Sequence, residues 1–332
     1  MRNLILLLVC AFFSMQGLAI AANPIKVALI LDKGGKDDKS FNSAASRGAN
    51  EAKAKLGIDL KEIEANEDSL FEPAMRRFIS KKYDLIVGIG VAQAEAIKKL
   101  SREFPDQKFA IVDAPVEAHN VVSAMFEEHI GSYLVGYIAG LKTTTGNVGF
   151  IGGVDGDLIR RFEKGYIQGV KAARPKAKVQ VNYVGVSTDA WNNPTRAKEL
   201  AMSQYRLGAD IIFVAAGASN NGCFDAAEEE KKFAIGVDSN QNWIKPGRIL
   251  TSMLKRVDTA VYEMISDAAK GQFKAGVKIF TIKNQGIDWA LDEHNRALFT
   301  ESDVNKISDL KAKLVAGKVA VVDYYKEKKA KK

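Results

Sequence analysis

Residues 25–42, IKVALILDKGGKDDKSFN, combine an apolar run with a polar loop. The run Ile25–Leu31 predicts a buried strand. The loop Asp32–Asn42 contains paired glycines and leads into small residues typical of a helix. Glycines let the backbone approach a ligand closely, and the first N–H groups of a helix have no partner inside it. The stretch therefore predicts a strand, loop and helix unit of an α/β fold, with a binding site at the loop.

The second half of this loop carries an aromatic residue among polar ones. We expect Phe41 to lie at the carboxyl edge of a sheet, where open α/β folds bind ligands. A single phenylalanine can also simply pack on the sheet, but Asp32, Asp38 and Asn42 could orient a ring stacked on it. Asp37 and Asp38 occupy the place where a P-loop would hold phosphate. These carboxylates instead favour neutral ligands that donate O–H or N–H groups.

The amino terminus has the pattern of a secretory signal peptide. Arg2 precedes an apolar stretch, 4–13, and Ala19-Ile20-Ala21 provides a cleavage site with small residues, so we assign residues 1–21 to the signal. Lipid anchoring at Cys10 is less favoured, because Val9 precedes it where a small residue is expected. We therefore predict an exported, periplasmic protein.

Half of the net charge of +8 lies at the carboxyl terminus. Residues 324–332 hold five lysines and one glutamate, and we predict that they form a basic, solvated tail. A nucleic-acid groove would instead spread basic and aromatic residues over a folded face, so no nucleic-acid partner is predicted. A weak attraction of the tail to an anionic membrane surface is left open.

The remaining chain alternates between strand-like and helix-like segments, which predicts two doubly wound α/β lobes with mostly parallel sheets. The segments 83–113 and 209–238 are similar, since each contains a strand, a glycine turn, a helix and a strand that ends in aspartate, Asp113 or Asp238. Both aspartates could also cap the following helix. The predicted strands are 27–31, 58–63, 84–87, 109–113, 121–126, 148–151, 179–184, 210–216 and 233–237.

Five blocks in this order resemble the basic membrane protein family, the purine-nucleoside receptors among ABC-transporter substrate-binding proteins. The blocks are 32–42, 126–136, 217–227, 236–241 and 251–258. The resemblance implies a type I periplasmic binding-protein fold, in which a monomer holds a nucleoside between two hinged lobes and delivers it to a membrane permease. It implies no cofactor, metal or catalytic residue.

This fold crosses its hinge three times, so each lobe is discontinuous in sequence. We predict an N-terminal lobe of residues 22–128 plus 252–285 and a C-terminal lobe of residues 129–251 plus 286–323. The predicted crossings lie near 126–131, 249–255 and 284–289.

The resemblance also implies roles for individual residues. Phe41 and Phe224 would sandwich the base, and Asp113 would accept hydrogen bonds from its N–H groups. Phe224 could instead belong to the core. The full set of predicted ligand-binding residues is Asp32, Asp38, Phe41, Asn42, Gly90, Asp113, Gly217, Phe224, Gly236, Asp238 and Lys255.

A second group in this set is expected to hold the ribose. Asp238 and Lys255 would bind its hydroxyls with Asp32 and Asn42 nearby, although Lys255 could also be a surface charge. Gly217 and Gly236 would bring the backbone close to the ligand.

Other functions are compatible with parts of this pattern. A secreted nucleoside hydrolase could use aspartates beside a ribose, but His119, His129 and His294 are scattered and show no metal-ligand spacing. A ligand-loaded partner of a membrane sensor would have the same sequence features as a transport receptor. The turn 218–221 departs from the family pattern, so a free base, a flavin or another ring stays possible.

Overall fold

A computed structural model describes residues 24–65 and 67–330. The predicted signal peptide and Cys10 lie outside the described residues. The strands, in chain order, are β1 (Lys26–Leu31), β2 (Asp59–Glu64), β3 (Leu85–Ile89), β4 (Lys108–Val112), β5 (Val121–Phe126), β6 (Asn147–Val154), β7 (Lys178–Gly185), β8 (Ile211–Ala215), β9 (Phe233–Asp238), β10 (Ile249–Lys255), β11 (Gly276–Phe280) and β12 (Ile287–Trp289).

The helices pack around these strands. They are α1 (Phe41–Leu56), α2 (Phe71–Ser80), α3 (Ala94–Glu103), α4 (Glu128–Lys142), α5 (Asp157–Ala173), α6 (Pro194–Arg206), α7 (Asn220–Glu229), α8 (Val257–Ala269), α9 (Glu301–Val315) and α10 (Tyr324–Ala330). None of the helices within the described ranges is long and apolar enough to cross a membrane.

The strands form two sheets with the same order of strands. The first sheet runs β2-β1-β3-β4-β5-β11, and the second runs β7-β6-β8-β9-β10-β12. Neighbouring strands are parallel, except that β12 is antiparallel to β10. The central strands of both sheets are buried, as their continuous apolar runs require. The prediction of two doubly wound α/β lobes is confirmed.

All nine strands predicted from sequence are present, and the strands that were not predicted are β10, β11 and β12. The predicted lobe boundary between residues 251 and 252 falls inside β10. This strand pairs with β9 between Ile249 and Leu254 and therefore belongs to the second sheet. The chain returns to the first lobe only after Lys255, because the next element, α8, packs on α1.

Three connections link the lobes, and they lie close together. They follow β5, β10 and β11. The N–H of Glu127 donates to the carbonyl of Phe280 (3.0 Å), and the N–H of Arg256 donates to the carbonyl of Gly286 (2.9 Å). The connections after β5 and β10 are therefore both hydrogen-bonded to the third connection, which passes from β11 to β12.

Helices α4 and α5 of the second lobe are in direct backbone contact. A methyl group added at Gly136 would lie 2.2 Å from the carbonyl oxygen of Tyr166, and one added at Gly169 would lie 2.0 Å from that of Tyr133. The side-chain layer that usually separates two packed helices is thus missing at these positions.

The carboxyl terminus differs from the predicted solvated tail. Residues 324–330 form α10, which packs on α5, and Lys328 Nζ lies 2.6 Å from an Asp157 carboxylate oxygen at the start of that helix. The lysine-rich composition suggested solvation, but the two tyrosines give this segment apolar surface to bury. The described part of the tail is therefore a helix that packs partly on the second lobe and has no fully buried residue.

Candidate ligand-binding site

A cavity of about 520 Å³ lies between the two lobes at the carboxyl ends of the sheets. This volume is within the range of small-molecule sites. Both lobes and α10 contribute to its wall. The predicted residues that line it are Asp32, Asp38, Phe41, Asn42, Gly90, Asp113, Gly217, Asp238 and Lys255.

Two aspartates occupy equivalent positions in the two lobes. Asp113 follows β4 of the first sheet, and Asp238 ends β9, the corresponding strand of the second. Both have left-handed backbone angles, with φ of 72° at Asp113 and 64° at Asp238. This conformation is uncommon outside glycine and persists where the surroundings impose it, often at functional sites. The two sheets therefore direct one strained aspartate each to the cavity.

Asp113 forms a buried ion pair with Lys255 across the two lobes. The Lys255 ammonium lies 2.5 Å from Asp113 Oδ2, and the lysine is 2% exposed. Burial acts to lower the pKa of Lys255, but the carboxylates of Asp113, Asp238 and Glu128 outweigh it, so the pKa is raised and the ammonium stays charged. The second oxygen, Asp113 Oδ1, is buried and has no hydrogen-bond partner among the described residues. An unpaired buried oxygen is unfavourable, so this atom is suited to accept a hydrogen bond from a ligand.

Aromatic rings surround the same ammonium. Lys255 Nζ lies 4.9 Å from the ring centroid of Phe41, 5.0 Å from that of Phe126 and 5.6 Å from that of Phe162. These distances are within the range of cation–π attraction. Phe41 and Phe162 also line the cavity. The lysine thus fixes aromatic side chains from both lobes beside the space for a ligand.

Asp32 and Asn42 hold the first loop through reciprocal hydrogen bonds. The Asp32 N–H donates to Asn42 Oδ1 (3.0 Å), and Asn42 Nδ2 donates to Asp32 Oδ1 (3.1 Å). Burial raises the pKa of Asp32. Its Oδ2 faces Gly90, where an added Cβ would lie 2.7 Å away and φ is 101°, so this turn requires glycine.

Asp38 serves the start of α1. Its oxygens accept backbone N–H groups from Ser40 (2.8 Å), Asn42 (2.8 Å) and Ser43 (3.0 Å). Burial raises the pKa of Asp38 to about 6, although these donors oppose the shift. Asp38 lines the cavity, but its carboxylate is engaged by the helix, so its contribution is to hold the loop in place.

Asp238 is bonded to the opposite lobe by a serine. Ser40 Oγ donates to Asp238 Oδ2 (2.8 Å), and Ser239 Oγ donates to the carbonyl of Ser40 (2.9 Å). Burial raises the pKa of Asp238 to about 6, while Lys255 and Ser40 act in the opposite direction. The loop before α1 is therefore joined to the end of β9 in the other lobe.

Two predicted residues do not line the cavity. Phe224 is fully buried in the second lobe, packed in the same cluster as Ile212 and Val214, because its face of α7 is turned toward the sheet. Gly236 lies inside β9, where an added Cβ would come within 2.6 Å of Gln241 Oε1. Its small size makes room for that glutamine rather than for a ligand.

Aromatic residues that the sequence did not indicate line the second-lobe side. They are Phe162 on α5, Trp191 and Tyr325. The Trp191 ring lies over Gly153, where an added Cβ would be 2.2 Å from it. A tryptophan in a short 3₁₀ turn has no periodic pattern that could have revealed it. The sequence signal that remains is Gly153, whose missing side chain leaves room for a large neighbouring ring.

Exposed contacts connect the lobes at the mouth of the cavity. Lys33 Nζ lies 2.8 Å from Asp189 Oδ1, and Thr188 Oγ1 lies 3.3 Å from Asp68 Oδ2. In this structure the lobes are therefore bridged both inside the cavity and at its rim.

A two-lobed α/β chain with a cavity between the carboxyl ends of its sheets has the architecture of a substrate-binding protein. The chain matches the family described as ABC transporter substrate-binding protein PnrA-like over residues 25–324. It therefore belongs to that family, and the resemblance to basic membrane proteins is confirmed.

Individual relatives agree with this assignment. The chain is 37% identical to the "CD4+ T-cell-stimulating antigen" of Listeria monocytogenes, covering 89% of this chain and 87% of that protein. It is 30% identical to the "ABC transporter nucleoside-binding protein BmpA" of Lactococcus lactis, covering 90% and 89%. A solved solute-binding protein of an Aeropyrum pernix ABC transporter superposes with a TM-score of 0.83 at 28% identity, covering 90% of this chain and 94% of that one.

Proposed function

We propose that this protein binds a purine nucleoside between its lobes and delivers it to the membrane permease of an ABC transporter. The observation that carries the proposal is the buried, unpaired Oδ1 of Asp113 in the cavity wall. A purine ring offers N–H donors at its edge, and a carboxylate that accepts one of them gains a charge-assisted hydrogen bond.

The aromatic residues of the cavity suit a flat ring. Phe41 from the first lobe and Phe162 and Trp191 from the second line the same space. Stacking of a base on an aromatic side chain contributes about 1–3 kcal/mol and tolerates different bases. In this proposal the rings supply affinity and Asp113 supplies selectivity for the edge of the base.

The remaining polar groups suit a ribose. Asp238 and Asp32 are acceptors for hydroxyl groups, and Gly90 and Gly217 allow the backbone to approach the sugar. The cavity wall contains several carboxylates and, among the described residues, one lysine, which is already paired with Asp113. Such a wall disfavours phosphate groups, so the proposal is a nucleoside rather than a nucleotide.

Delivery requires that the permease distinguish loaded from empty protein. Contacts between the lobes, such as Ser40 with Asp238, join the two sides of the cavity, and a ligand that contacts both sides shifts the population toward the closed form.

The predicted signal peptide would place the mature chain outside the cytoplasm. A mature amino terminus at Ala22, measured by mass spectrometry, would distinguish this protein from one that is lipidated at Cys10.

The first test is a thermal-shift screen of protein that has been unfolded and refolded to remove bound ligand. Adenosine, guanosine and inosine are compared with free bases, riboflavin and sugars. A ligand at a hundred times its Kd adds about 2.7 kcal/mol, so the melting temperature should rise visibly. Stabilisation by a nucleoside that chromatography recovers intact supports the proposal. Stabilisation only by another ring or a sugar, or cleavage of the nucleoside, would contradict it.

A further inference from the structure

The C-terminal segment reaches the ligand cavity. Tyr325, in the first turn of α10, is part of the cavity wall and is half-buried. Its neighbour Tyr324 is also half-buried but does not line the cavity. The match to the family ends at residue 324, so Tyr325 lies just beyond the part of the chain that the family description covers.

Arg161 of α5 anchors this segment through two kinds of contact. Its guanidinium makes a bidentate pair with Asp323, with Nε to Oδ1 at 2.8 Å and Nη2 to Oδ2 at 2.9 Å. Its Cζ atom lies 4.7 Å from the ring centroid of Tyr325, within cation–π range. Both Arg161 and Asp323 are buried, so the pair is protected from screening by salt.

The same arginine contacts the first connection between the lobes. Arg161 Nη1 donates to the carbonyl of Phe126 (2.5 Å) and to the carboxylate of Glu128. Farther along α5, Gln168 exchanges two hydrogen bonds with the backbone of Val322 (2.8 and 3.0 Å). The start of the segment is therefore fixed to α5 by Gln168 and Arg161, and Tyr325 is held in one place relative to the hinge.

We propose that Tyr325 is a ligand-contacting residue and that the segment 322–330 closes the second-lobe side of the cavity. The inference deepens the nucleoside-binding proposal by adding a contact from the end of the chain. A tyrosine ring gives a large apolar surface, and its hydroxyl can donate a hydrogen bond to a base or a sugar. A wall of this kind slows the escape of ligand, so its removal acts mainly on the dissociation rate.

The test compares Tyr325→Ala with the matched variant Tyr324→Ala. Adenosine binding is measured by calorimetry and its dissociation by stopped-flow tryptophan fluorescence, since Trp191 lines the cavity. We expect Tyr325→Ala to raise Kd about tenfold, mostly through faster dissociation, and Tyr324→Ala to change Kd less than twofold. The melting temperature of each unliganded variant reports any general loss of folding. Unchanged binding and dissociation in Tyr325→Ala would overturn the inference.

A second arm of the test needs no ligand. Cys223 is buried, and Cys10 lies in the predicted signal peptide and is left out of the protein expressed for this test. A cysteine introduced at Leu158, which lines the cavity on α5, can then be labelled selectively by a thiol reagent. We expect Leu158→Cys to react several times faster when Tyr325→Ala is also present, and no faster with Tyr324→Ala. Equal rates in both backgrounds would contradict the proposed wall. A wild-type protein that binds none of the nucleosides would refute the nucleoside proposal, while this arm would still decide whether Tyr325 closes the cavity.

Discussion

Asp113 and Asp238 have the same place in the two lobes but different partners. Each stands at the end of the equivalent strand with a left-handed φ, and each is bridged to a side chain of the opposite lobe. Asp113 meets the charged Lys255, whereas Asp238 meets the neutral hydroxyl of Ser40. The repeated backbone geometry therefore supplies two carboxylates, and the partner determines what each can do.

The consequence is a chemical difference between the two carboxylates of the cavity wall. The lysine keeps Asp113 beside a full positive charge, while burial raises the pKa of Asp238 to about 6. We assign Asp113 to the base and Asp238 to the ribose, in keeping with the proposed function. The following experiments test that difference.

The largest effect is expected for Lys255→Met. The substitution removes one member of a buried ion pair and leaves the Asp113 carboxylate without compensation. Breaking such a pair by removing one partner typically lowers the free energy of unfolding by about 3–5 kcal/mol. Urea unfolding of the unliganded protein measures the change.

The control for this experiment removes both charges. The double variant Lys255→Met, Asp113→Asn should recover much of the lost stability, because the unpaired Asp113 charge is removed as well. The other carboxylates near this lysine, those of Asp238 and Glu128, keep Ser40 and Arg161 as partners. A double variant as unstable as the single one would show that the lysine acts through packing with the phenylalanines instead.

The two aspartates should differ in their ligand selectivity. Asp113→Asn should weaken the binding of both inosine and its free base hypoxanthine by about 10- to 100-fold, since hydrogen bonds to charged groups contribute about 1.5–3 kcal/mol. Asp238→Asn should weaken inosine by a similar factor and leave hypoxanthine unchanged. Titration calorimetry of the four combinations provides the measurement, and equal effects of both variants on both ligands would contradict the assignment.

Affinity should depend on pH through Asp238. Its pKa of about 6 lies above that of an ordinary aspartate, and ribose hydroxyl donors favour the ionised form. Below pH 6 binding must therefore release a proton, so the Kd for inosine should rise about tenfold between pH 7 and pH 5.

The raised pKa of Asp238 also affects the stability of the unliganded protein. Ionised Asp238 lowers the free energy of unfolding above pH 6, and this loss of stability disappears as the pH falls toward 4.

Asp238→Asn is the control for the pH experiment. The pKa of Asp38 is also raised to about 6, but Asp38 is present in both proteins, so the difference between them isolates Asp238. A variant with the same pH profile as the wild type would assign the dependence to another group.

The smallest effect is expected at the exposed bridge between the lobes. Asp189→Asn removes the partner of Lys33 at the mouth of the cavity. Exposed ion pairs contribute little and are screened by salt, so we expect the inosine Kd to change by less than about twofold at physiological salt. A large change would mean that the rim, and not the interior, controls closure.

The fold was largely predictable because buried parallel strands have continuous apolar sequences. β10 was not recognised, because the polar residues Thr251 and Ser252 interrupt its apolar run. Both are buried in the lobe, where their hydroxyl groups donate hydrogen bonds to a backbone carbonyl and to a side chain. β11 is mostly exposed and β12 has three residues, so neither has the apolar run of a buried strand, and their pairing is decided by the tertiary fold.

The first-lobe half of the site was easier to predict than the second. Strand-end aspartates, glycine turns and Phe41 follow from the geometry of α/β units. Phe224 was misplaced because a rotation of α7 by less than half a turn decides whether a residue faces the cavity or the core. Trp191 and Tyr325 come from a short turn and from the chain end, where no periodicity informs the prediction.

The glycine contact between α4 and α5 has a mechanical consequence. Two helices whose backbones touch at Gly136 and Gly169 cannot slide or separate without losing that contact. They should move as one rigid unit that carries Phe162, in the second turn of α5, toward or away from the first lobe. Spin labels on the outer faces of the two helices should keep one fixed distance with and without ligand, while a pair spanning the lobes should report two distances.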